Sequence, residues 1–87
     1  MIRQIKSNMT EVYTNNGSSV LYSYKTPVAA HIGLNWYKTA DYWSNTTSRH
    51  INYWLDENGH GRDLVEEKPQ AWFDNLITAN INMDEVD

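Results

Sequence analysis

Asn16-Gly17 places the tightest constraint on how this chain can fold. Both residues accept the positive φ of a type I′ turn. The flanks, MTEVYTN and SSVLYSYK, are rich in β-branched and aromatic residues. A two-residue turn there predicts a hairpin with Tyr13 opposite Val20, Glu11 opposite Tyr22 and Met9 opposite Tyr24. Alternation then gathers Tyr13, Val20, Tyr22 and Tyr24 on one face and Val12 and Leu21 on the other. Either face can serve as core.

Further along, Thr26-Pro27 interrupts the ladder, because proline has no N–H to donate. VAAHI reads as a third strand, Gly33-Leu34-Asn35 as a turn, and WYKTADYW as a fourth strand bulged near Ala40-Asp41. Connections this short predict antiparallel pairing. Thr46 or Thr47 caps a helix whose stripe is Ile51, Trp54 and Leu55, and Asn58-Gly59 stops it. HGRDLVEEK reads as a charged loop. Pro69 suits the first position of a second helix, with Trp72, Phe73, Leu76 and Ile77 inward and an end near Asn80. The expected fold is α+β: a small antiparallel sheet of about four strands, one face covered by two C-terminal helices.

At 87 residues the chain makes a single domain, 1–87, with residues 1–7 and 82–87 expected to fray. A domain of this size buries about 60–65% of its unfolded surface, which leaves little room for a deep cavity beside a core. Cysteine is absent, so disulfides and thiolate metal sites are excluded. Bulk must come from six Tyr, four Trp and one Phe. No apolar run reaches bilayer length, and MIRQIKSNMTEV lacks a signal peptide's apolar core, so a cytoplasmic setting is expected. The Asn-x-Ser/Thr triplets at Asn8, Asn16 and Asn45 then carry no glycan.

The net charge of −4 hides an asymmetry. Residues 1–55 hold five Lys and Arg against two acids, whereas residues 56–87 hold two against nine. Nine of the eleven aromatic residues lie in the basic part. That combination predicts an interaction surface, since Tyr, Trp and Arg dominate interface hot spots. The candidates are Trp36, Tyr37, Trp43, Arg49, His50 and Tyr53, joined by Tyr22, Tyr24 and Lys38. Trp54 and Trp72 are assigned to the core. A second reading lets Tyr22, Tyr24, Trp36 and Tyr37 stack the bases of a single strand beside Lys25, Lys38 and Arg49.

Other chemistries find less support. His31, His50 and His60 lack the i, i+4 spacing of a helical zinc motif, so no metal or cofactor is expected. Hydroxyls at 44–48 adjoin His50, yet helix capping accounts for them. About eleven residues separate the two helices, too many for a helix-turn-helix. Acidic mimicry of DNA would need the nine late acids on one face, and solubility explains them more simply. Exposed strand edges and surplus rings favour a homodimer.

SYKTPVA (23–29), YKT (37–39), WSNTTSRHINYWL (43–55) and PQAWFDNL (69–76) resemble a family of small uncharacterised proteins of tailed bacteriophages. The resemblance implies a phage accessory protein in the cytoplasm of an infected bacterium, one that binds a host or defence protein or its nucleotide signal. It implies no catalytic residues.

Overall fold

The computed structural model of the protein describes residues 2–14 and 17–76. In chain order it contains β1 (Ile2–Lys6), β2 (Met9–Tyr13), β3 (Ser19–Ser23), β4 (Thr26–Ile32), β5 (Asn35–Thr39), α1 (Asn45–Glu57), β6 (Glu66–Lys68) and α2 (Gln70–Leu76). The fold is α+β, with one mixed sheet of six strands in the order β1-β2-β3-β4-β5-β6. Strands β1 to β5 are antiparallel neighbours, and β6 joins β5 in parallel. Parallel neighbours require a crossover, and α1 with its following loop supplies it. Two strands therefore add to the expected four. Ile2–Lys6, expected to fray, is instead β1, with Ile5 packed on the core. Glu66–Lys68, expected as loop, pairs Tyr37 with Glu66 and Thr39 with Lys68. EEK has no apolar pattern, so only its neighbour makes it a strand.

The N-terminal hairpin forms, but one residue out of the expected register. Tyr13 pairs with Ser19, Glu11 with Leu21 and Met9 with Ser23. The Thr14 N–H donates to the Ser18 carbonyl at 2.9 Å, and Gly17 takes φ +85°. Asn16 lies outside the described residues. An odd number of connecting residues replaces an even one, and a slip of one exchanges the faces of one strand relative to the other. Met9, Glu11, Leu21 and Ser23 thus share one face, and Thr10, Val12, Val20 and Tyr22 the other.

The helices lie on opposite faces of this sheet, not on one. Ile51, Trp54 and Leu55 of α1 pack with Met9, Leu21, Val28 and Ala29. Phe73 of α2 packs with Val20 and Ala30. Val20 and Leu21 are consecutive in β3, as Ala29 and Ala30 are in β4, so each pair points to opposite sides. Strands covered on both faces carry unbroken apolar runs. The buried run Pro27–Ala30 is such a run.

Local chemistry fixes the helix ends. Ser44, not Thr46 or Thr47, caps α1: its Oγ accepts the Thr47 N–H at 3.1 Å. Thr47 is buried and shares a hydrogen bond with Ser23 at 3.0 Å instead. Asn58 and Gly59, at φ +70°, end the helix as expected. The strand expected over WYKTADYW stops at Thr39, whose Oγ1 accepts the Asp41 N–H at 3.2 Å and turns the chain. Pro69 immediately precedes α2, which turns Phe73 fully inward, with Trp72 and Leu76 packed beside it. The expected continuation to Asn80 and the tail from 82 lie outside the described residues.

One carboxylate is buried in the core beside α1. Glu11, 3% exposed, accepts from the Trp54 indole at 2.8 Å, the Tyr13 hydroxyl at 2.7 Å and Arg3 at 2.9 Å. Burial pushes its pKa up, but the bonds from Tyr13, Trp54 and Arg3 together hold it below the ordinary 4.5.

Candidate functional site

Four of the seven Lys and Arg residues are already paired with acids. Arg3 meets Glu11 and Glu57, Lys38 meets Glu67, Arg62 meets Asp56 and Lys68 meets Glu66. Among the described residues, Lys6, Lys25 and Arg49 have no carboxylate within ion-pair distance. These three gather at one end of the molecule. The β1–β2 and β3–β4 turns lie side by side there, with the Tyr24 N–H donating to the Asn8 carbonyl at 2.6 Å. Lys6 closes β1, Lys25 sits in the second turn, and Arg49 projects from α1.

Lys6, Arg49, His50 and Tyr53 line one open groove of about 490 Å³. Tyr24 and Lys25, with Gln4 and Asn8, line a neighbouring one of about 640 Å³. The two meet where the Tyr24 and His50 rings lie 6.1 Å apart. Lys6 Nζ sits 3.7 Å above the Tyr53 ring, a cation–π contact that fixes both side chains. His50 is anchored through Nδ1, which shares a hydrogen bond with Ser23 Oγ at 2.8 Å. Partial burial, and then the charge of Lys6, depress the His50 pKa below its ordinary 6.5.

Tyr24 is the residue least explained by folding. Its φ is +59°, a left-handed conformation that costs a bulky side chain about 1–2 kcal/mol. Glycine or asparagine would suit the turn better. The ring is nonetheless 52% exposed, so burial does not offset the strain.

The nine residues singled out from sequence divide into three groups. Tyr24, Arg49, His50 and Tyr53 come together in the region just described. Trp43 and Lys38 line a smaller cleft of about 270 Å³ between β5 and α1. There the Trp43 indole donates to Gln70 Oε1 at 3.1 Å, and Gln70 Nε2 donates to the Pro27 carbonyl at 2.7 Å, tying α2 to the sheet. The rest are taken up by packing. Trp36 stacks on His31 at 3.8 Å and on His60 at 4.8 Å, and meets Trp54 edge-on at 5.1 Å. Tyr37 leans on Trp72 at 4.8 Å, and Tyr22 packs against the cluster around Phe73. Lys6 was missed, because the start was expected to fray; the isoleucines of IRQIK stand three apart and give no strand alternation, so only the pairing with β2 marks it as a strand.

A hydroxyl 2.8 Å from an imidazole has the separation of a nucleophile and its base. Ser23, however, is 2% exposed and also bonds Thr47, so this chain of hydrogen bonds fastens α1 to β3. The three histidines diverge, two onto Trp36 and one onto Ser23. Among the described residues no group of three or more His, Asp or Glu is placed to hold a metal ion. Nor does any described helix have the length and apolar character to cross a membrane.

Fold and surface define a small α+β domain with a cationic, tyrosine-bearing end. The chain belongs to a Family of unknown function (DUF8033), whose family model matches residues 1–75. No curated protein and no solved structure matches it.

Proposed function

We propose that this is a non-catalytic binding protein that engages a partner protein through the end formed by Tyr24, Lys25, Lys6, Arg49, His50 and Tyr53. Its setting is that of a phage accessory protein in the cytoplasm of an infected bacterium, and its partner a host or defence protein. The observation that carries this proposal is Tyr24: a half-exposed ring on a strained backbone, beside three cations without acid partners among the described residues. Strain kept at an exposed position marks a residue held for contact rather than for stability. Tyrosine and arginine are also the side chains that concentrate binding energy in interfaces. The grooves are open, and the Ser23 hydroxyl that meets His50 is buried, which favours binding over catalysis.

Affinity capture from infected cells, with mass spectrometry, tests the proposal. The wild-type chain is expected to retain a stoichiometric protein that Arg49→Glu loses. Leu34→Ser, in the β4–β5 turn at the opposite end, should retain it. Capture of no stoichiometric protein, or of one that Arg49→Glu retains equally, would overturn the proposal.

A further inference from the structure

We infer that the element this surface receives is an acidic, extended segment of the partner, its carboxylates set against Lys6, Arg49 and Lys25. The inference rests on the proposed function and supplies the chemistry of its partner.

Charge is the first ground. The three cations that have no acid partner among the described residues all lie here, and both Asp56, which lines the groove, and its neighbour Glu57 are already engaged. Asp56 is held by Arg62 in a two-pronged bond at 3.2 and 2.6 Å, and Glu57 accepts from Arg3 at 3.2 Å. An incoming carboxylate therefore meets positive charge that no carboxylate among the described residues neutralises, the complementarity that steers encounter and fixes register.

Shape is the second ground. The cations are divided between two adjoining grooves, Lys6 and Arg49 in one and Lys25 in the other. A lone small anion would occupy one groove and leave the other empty. A linear ligand with several acids spans both and crosses Tyr24 where they meet, so the strained ring lies under its centre.

The rings decide between a peptide and a nucleic acid. Base stacking needs open aromatic faces. Lys6 covers a face of Tyr53, while Trp36 and Tyr37 are engaged by His31, His60 and Trp72. The exposed Tyr42 and Trp43 lie at the separate cleft beside Lys38, so at this end Tyr24 is the one open platform among the described residues, too few for a strand of bases but enough for one hot-spot contact with a peptide.

Fluorescence anisotropy with labelled probes tests this. The probes are a peptide rich in Asp and Glu, its Asn/Gln counterpart, and an oligothymidylate of equal net charge. The acidic peptide is expected to bind, the amide counterpart at least tenfold more weakly, and salt to weaken the acidic complex. Arg49→Glu should reduce acidic-peptide affinity about tenfold. Arg49 is exposed and forms no ion pair among the described residues, so circular dichroism should show this variant folded. Tyr24→Gly should reduce affinity about fivefold. Equal binding of the two peptides, tighter binding of the oligothymidylate, or unchanged affinity in Arg49→Glu would overturn the inference. If the peptides fail while Arg49→Glu still loses the captured protein, the acidic segment falls and the protein-binding proposal stands; if both fail, both fall.

Discussion

Two residues show how function and stability separate in this chain. Tyr24 occupies a left-handed position that glycine adopts without penalty, and its ring is half exposed. Tyr24→Gly should therefore raise stability by about 1 kcal/mol, a few degrees in Tm, while weakening partner binding. A lower Tm would show that the ring supports the fold. Glu11 is the opposite case, buried and held by three donors. Replacing it with Ala leaves the Trp54 indole unpaired beside a small void, at a cost of about 2–3 kcal/mol. Because its folded pKa is depressed, the stability it contributes is present above its ordinary 4.5 and lost as pH falls through the folded value. Acid denaturation of wild type and Glu11→Gln should show a weaker pH dependence for the variant below about pH 4.5. Identical profiles would mean that other carboxylates carry the acid lability.

Among the elements, α1 and α2 are held by different means. α1 has a side-chain cap, a three-residue apolar stripe and the Ser23–His50 and Ser23–Thr47 bonds to β3. Ser44→Ala removes the acceptor for the Thr47 N–H and should cost about 1 kcal/mol in chemical denaturation. α2 depends on one fully buried ring and on Gln70, which joins the Pro27 carbonyl, Thr39 and Trp43. Phe73→Ala should cost about 3–4 kcal/mol, a large share of the stability of so small a domain. A cost below 1 kcal/mol would show that α2 contributes little to the core. β6 depends on its neighbour: three charged residues form a strand only because β5 offers an unpaired edge.

Across the whole molecule, two cores share one sheet. Leu21 and Ala29 serve the α1 side, and Val20 and Ala30 the α2 side, from adjacent positions in β3 and β4. Neither core can come apart without loosening those strands, so unfolding should be a single cooperative event. Tryptophan fluorescence and far-ultraviolet circular dichroism should give coincident transitions in urea. A separate early fluorescence change would indicate that the α2 side opens by itself. Charge is also organised at this scale. Glu66 and Glu67 lie on β6, the sheet edge farthest from β1, so the basic end is kept apart from that acidic strand.

Local chemistry determined much of this protein from the sequence alone. The hairpin around Gly17, the stripe of Ile51, Trp54 and Leu55, the stop at Asn58-Gly59 and the inward face of α2 depend on turn preference and on periods of two and 3.6. The basic, aromatic half was legible too, and it contains Arg49, His50, Tyr53 and Tyr24, which the fold brings near one another. Tertiary structure alone decided the rest. Register turned on one residue of loop, which local preference barely distinguishes but which exchanges the faces of a strand. β6 exists only beside β5, and the two helices divide between opposite faces because α1 carries the chain across from β5 to β6. Which cations lacked acid partners was decided in the same way: ion pairs such as Arg3 with Glu57 join residues far apart in the chain, and only the folded geometry leaves Lys6, Lys25 and Arg49 without one among the described residues.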